Sequence, residues 1–102
     1  MQRKAIVMDP RDDVATALTT LRQGETVRVT RGSGDLEVEL LEEIPFGHKF
    51  ALGDIAAGEA ILKYGLPIGK ALEAIRAGAW VHVHNTRSDR FGHRHEKYGI
   101  NA

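Results

Sequence analysis

Four times in 102 residues, an aliphatic side chain, two variable positions and a glycine lead into a strand-like run. The copies are Leu21-Arg22-Gln23-Gly24, Ile44-Pro45-Phe46-Gly47, Ile55-Ala56-Ala57-Gly58 and Ile75-Arg76-Ala77-Gly78. Their spacing is irregular, which excludes a solenoid built on a fixed period. Each reads as a tight turn: the aliphatic residue plugs the core and glycine takes a backbone conformation that other residues resist. Four such turns feeding short strands predict a compact, mostly β domain with kinked strands.

Ala5-Ile6-Val7-Met8 reads as a short buried strand ended by Asp9-Pro10. Asp12 or Asp13 then caps a predicted helix with Val14, Leu18 and Leu21 on one face, stopped by Gly24. Glu25 to Thr30 is rich in Thr and Val and predicts a strand. Arg31-Gly32-Ser33-Gly34-Asp35 is turn chemistry, and Leu36, Val38 and Leu40 alternate with Glu37 and Glu39 as a strand with one wet face. Ala60 to Tyr64 is a further strand, broken by Gly65-Leu66-Pro67. For Ile68 to Ile75 the composition favours helix, but Gly69 and the nearby Pro67 and Gly78 would hold a helix to about two turns, so a strand from Leu66 to about Leu72 is expected. From Thr86 to Ala102 the chain is polar and aperiodic, and predicts an arm that orders only against a partner. The expected division is a domain over 1–87 and a polar tail over 88–102.

The length suits one small domain with a single modest core. Fourteen basic residues balance fourteen acidic ones, so charge gives no argument for nucleic acid or for an anionic membrane surface. Without cysteine, disulfides, thiolate metal sites and a cysteine nucleophile are excluded, and any metal needs His, Asp, Glu or water. The apolar run after Met1-Gln2-Arg3-Lys4 is too short for a signal core or a membrane span, so a cytoplasmic protein is expected.

Trp80-Val81-His82-Val83-His84-Asn85 joins strand pattern and chemistry. On a strand, Trp80, His82 and His84 share one face and the valines the other. A third histidine lies in Gly47-His48-Lys49-Phe50, and the expectation is that these imidazoles meet in one polar pocket. The plainer readings stand beside it. Alternating polar residues also mark the wet face of a strand, His48-Lys49 also suits an exposed loop, and Trp80 suits packing. A Tyr beside glycine, as in Tyr64-Gly65, commonly packs a turn, while His93 and His95 read as solvated tail.

Three ordered stretches resemble the N-terminal SAF-type domain of the altronate/galactarate dehydratase family. They are Ile44-Pro45-Phe46-Gly47-His48-Lys49-Phe50-Ala51-Leu52, Lys63-Tyr64-Gly65-Leu66-Pro67-Ile68-Gly69 and Ala77-Gly78-Ala79-Trp80-Val81-His82-Val83-His84-Asn85-Thr86-Arg87. The resemblance implies a β-clip fold, which with the reading above gives the expectation of a mostly β domain with short, kinked strands and one short helix. It further implies a role in sugar-acid dehydration with a divalent metal, Fe2+ or Mn2+, bound mainly by a partner. In many family members this domain is fused to a much larger catalytic region, so a small subunit working with a separate large dehydratase subunit is expected. Self-association is compatible with that arrangement. A related pair of subunits eliminates sulfite from sulfolactate, and a non-catalytic carbohydrate-binding or scaffolding module is the third reading.

Dehydrating a 2,3-dihydroxy acid requires removal of a weakly acidic proton beside a carboxylate, then loss of the β-hydroxyl. That chemistry wants a base with a pKa near neutrality and a cation for the developing enediolate. Histidine supplies a base or a ligand, and lysine holds a carboxylate. The candidate catalytic residues are accordingly His48, Lys49, His82 and His84, with His48 ranked first. His48, His82 and His84 are the candidate metal ligands, and Lys63, Tyr64 and Asn85 the candidate substrate contacts.

Overall fold

The computed structural model describes residues 3–82 and 84–87. Nine strands make up the regular structure of these residues: β1 (Ala5–Ile6), β2 (Val14–Ala17), β3 (Thr26–Arg31), β4 (Gly34–Glu39), β5 (Lys49–Ala51), β6 (Ala60–Lys63), β7 (Leu66–Ala71), β8 (Trp80–Val81) and β9 (Thr86–Arg87). All pairings are antiparallel, in a four-stranded sheet β1-β2-β5-β8, a hairpin β3-β4 and a three-stranded sheet β6-β7-β9. The mostly β expectation holds, and the bulge in the β6–β7 register at Ile61/Leu62 is one of the predicted kinks.

The four recurring turns organise the fold more completely than their short form suggests. Leu21 bridges Ile44 and Ile55 bridges Ile75, each as an isolated antiparallel pair, and all four side chains are buried. Gly24, Gly47, Gly58 and Gly78 have φ between +82 and +86° and donate their N–H to Leu40, Ala17, Ala71 and Ala51. The device extends three residues each way. Leu18, Leu41, Leu52 and Leu72 precede it, each donating its N–H to another segment, and Val27, Phe50, Ile61 and Val81 follow it into the core. Leu-x-x-(Leu/Ile)-x-x-Gly-x-x-apolar is thus one structural unit used four times.

The predicted helix after Asp12 does not form; the segment is β2, in the middle of the four-stranded sheet. Val14, Ala15 and Ala17 are all buried because both faces of this sheet are covered, which removes the alternation that marks a half-wet strand. Leu18 and Leu21 mimic helical spacing only because the turn device has a period of three, and Leu18 is in fact exposed. One face of the sheet (Ala5, Ala15, Ala17, Phe50) packs with Val27, Val29, Val38 and Leu40 of the hairpin side. The other face (Val14, Ala51, Val81) packs with Ile55, Ile61, Ala71 and Ile75.

Asp12 holds the first loop against the β6–β7 turn. It is fully buried; Oδ1 accepts from Gly65 N at 2.8 Å and Oδ2 from Asp9 N at 3.1 Å. The turn itself has positive φ at both central residues, Tyr64 (57°) and Gly65 (71°), the geometry that two-residue hairpins favour with Asn-Gly. A tyrosine in the left-handed region costs roughly 1–2 kcal/mol, and Lys63 Nζ 5.0 Å from the ring centroid offsets part of this. Tyr64→Asn is therefore expected to raise the urea midpoint, by a stability gain of about 0.5–1 kcal/mol.

Candidate functional site

The register of the central sheet decides which candidate residues meet. Lys49 pairs with Val81 and Phe50 with Trp80, so His48, one step before Lys49, falls opposite His82, one step past Val81. The ring centroids follow: His48–His82 5.2 Å, His48–Trp80 5.4 Å edge-on, Trp80–His82 4.6 Å stacked, Trp80–His84 5.6 Å and His82–His84 6.2 Å. The three imidazoles converge on Trp80, as expected, but not along one strand.

β8 ends at Val81, and a turn carries the chain to Asn85. Asn85 is the cause. It is buried; its Oδ1 accepts from His82 N (3.0 Å) and from the Thr86 hydroxyl (3.0 Å), while its Nδ2 donates to Trp80 O (2.7 Å). Its carboxamide closes the loop that sets His82 beside Trp80. Glu42 Oε2 adds a hold on the same strand by accepting from Trp80 N at 2.9 Å.

Trp80 Nε1–H donates to His48 Nδ1 at 3.3 Å, which requires a lone pair on Nδ1 and leaves the imidazole proton on Nε2. His82 is held below its ordinary pKa, first by burial and then by His48, His84 and Lys49. It is therefore a neutral imidazole near pH 7. A depressed pKa means that the unfolded chain binds more protons just below the ordinary value of 6.5. Stability should fall as pH drops below that value, the loss becoming complete once pH is below the folded-state pKa. Urea midpoints between pH 7.5 and 5 check this, and His82→Phe, which keeps a ring on Trp80, should flatten the decline.

Lys49 lies on the other face of the sheet, since it follows His48 by one residue and its cross-strand partners are Thr16 and Val81. Lys63 ends β6 and Tyr64 opens the β6–β7 turn, and the Tyr64 ring is not among those that meet at Trp80. His93 and His95 fall outside the described residues. An open groove of about 990 Å³ lies elsewhere again, along Arg3, Lys4, Leu18, Arg22 and Glu25.

A divalent metal does not fit the imidazoles as they stand. Among the described residues no three His, Asp or Glu side chains are arranged to hold one. The rings stack and tilt over Trp80, and His48 Nδ1 already has a donor. The tie from Asp12 to Gly65, far along the chain, and the place of Thr16 opposite Lys49 carry no local sequence signal.

Fold and site define a small all-β domain that gathers aromatic and imidazole rings at one end of a sheet. The chain belongs to the altronate/galactarate dehydratase SAF domain family, whose model matches residues 3–89. Over 78 residues, 76% of the chain, it is 50% identical to the altronate dehydratase of Escherichia coli K12, of which it covers 15%. It is 43% identical over 56 residues, 55% of the chain, to the (2R)-sulfolactate sulfo-lyase subunit alpha of Chromohalobacter salexigens, covering 60% of it. With the alpha subunit from Paracoccus pantotrophus it shares 36% identity over 63 residues, 62% of this chain and 94% of that one. No helix among the described residues is long and apolar enough to cross a membrane.

Proposed function

We propose that this chain is the small, SAF part of a sugar-acid hydro-lyase of altronate type, working with a large catalytic region. The observation that carries it is the ring cluster: a neutral His82 stacked on Trp80, next to a His48 whose free N–H is fixed on Nε2. In an elimination, His82 suits removal of the proton beside the carboxylate, because an imidazole kept neutral is an available base near pH 7. His48 Nε2–H suits a hydrogen bond to the oxygen that gains charge, as a neutral imidazole donor does elsewhere. His84, exposed at the rim, completes the imidazole face. Any Fe2+ or Mn2+ belongs, on this reading, to the large region, since the imidazoles here do not converge on an ion.

The altronate choice rests on the identity to altronate dehydratase, and action with a separate large subunit on the near-complete coverage of a relative named as a subunit alpha. That same relative favours a second reading, sulfite loss from sulfolactate. Incubating the assembled enzyme with altronate, galactarate and sulfolactate separates the two. A 2-keto-3-deoxy acid formed from altronate is expected, whereas sulfite from sulfolactate alone would overturn the altronate assignment.

A further inference from the structure

On the face of the central sheet opposite the imidazoles, Thr16 and Lys49 are direct cross-strand partners. β6 abuts the start of β2 there: Asp13 N donates to Leu62 O at 3.0 Å, and Leu62 N to Asp13 Oδ2 at 2.9 Å. Lys63 follows Leu62 and shares the strand face of Ile61, which packs against this side of the sheet. Among the described residues neither Lys49 nor Lys63 forms an ion pair. Asp13, the acid at the junction, is engaged by the Leu62 amide. Thr16 Oγ1 is buried without a hydrogen-bond partner, the one such side-chain atom among the described residues.

We propose that Lys49, Lys63 and Thr16 form a carboxylate-binding site, separate from the ring cluster. A half-buried ammonium without an ion-pair partner, within the field of a second one, is costly unless an anion joins it. Burial, and then Lys63, push the Lys49 pKa down, the direction of a cation without a counter-ion. A carboxylate between the two ammonium groups supplies the missing charge, and Thr16 offers a further donor on the same face. Thr16 Oγ1 is buried, so its cover must open for it to donate, and Lys49, its cross-strand partner, has the rotatable bonds to turn aside.

The test is NMR of the full chain with 13C-labelled lysine and threonine methyls, titrated with D-gluconate, with acetate, and with D-sorbitol as an uncharged polyol. Saturable shifts at Lys49, Lys63 and Thr16 with a carboxylate, absent with sorbitol, are expected. Lys49→Met should abolish saturation. Thr16→Val, which keeps both charges and removes only an unpaired hydroxyl, should remain folded and weaken binding by about tenfold. If gluconate still shifts these signals once the catalytic region is bound, the carboxylate is that of a free acid. If acetate and gluconate both act on the chain alone and neither acts in the assembly, it is an acidic side chain of that region. Non-saturating shifts, equal shifts with sorbitol, or unchanged affinity in a folded Thr16→Val and Lys49→Met would overturn the site. This readout needs no turnover, so it stands or falls apart from the elimination reading.

Discussion

Gly78→Ala should destabilise the chain by roughly 3 kcal/mol or more, while the equivalent change in the first copy of the same turn, Gly24→Ala, should cost only about 1–2 kcal/mol. Both glycines have nearly the same positive φ, 86 and 84°, so the conformational cost of a methyl group is shared. The difference lies in what the methyl would meet. At Gly24 there is open space, whereas at Gly78 it would overlap the backbone carbonyl of Glu39. That carbonyl ends β4, and two residues on Leu41 N donates to Gly78 O at 3.0 Å, so the strand cannot retreat without giving up the link between hairpin and central sheet. Urea unfolding of the two variants measures the gap. Equal losses would mean that the close approach of β4 to the fourth turn does not hold in solution.

His82→Gln should lower the turnover of the assembled enzyme by about 10² to 10⁴, the usual contribution of a general base, with assembly intact. Glutamine keeps a planar polar group on Trp80 but cannot accept and release a proton. The wild-type rate should also lose its acid limb at a pH below the ordinary histidine value, because burial first, and then His48, His84 and Lys49, hold His82 neutral further down the pH scale. Trp80→Phe provides the companion: it leaves a ring against His82 but removes the donor to His48 Nδ1, so its effect belongs to the His48 tautomer. Turnover of His82→Gln within twofold of wild type would show that His82 is not the base.

Much of this was readable from the chain. The four glycine turns announced a β domain of short strands, because glycine at φ near +85° has few substitutes and leaves a mark in the sequence. Strand alternation puts His82 and His84 on the face of Trp80 but says nothing of His48, which sheet register brings there, while the Asn85 loop sets His82 in place. Three things were hidden. β2 is covered on both faces, so its small apolar residues carry no period. Asp12 binds an amide 53 residues away, which no local pattern reports. Lys49 faces away from its neighbour His48, and only the pairing with Thr16 and Val81 shows what it faces instead.

The most direct test of the imidazole face as chemistry, rather than scaffold, is product formation in trans. A dehydratase catalytic region without its SAF part is mixed with this chain and altronate, and the 2-keto-3-deoxy acid is measured over time. Wild-type chain should restore its formation, and the His48→Gln, His82→Gln, His84→Gln triple variant, bound equally well by pull-down, should not. Equal restoration by the bound triple variant would contradict a catalytic role and leave the domain as an assembly module.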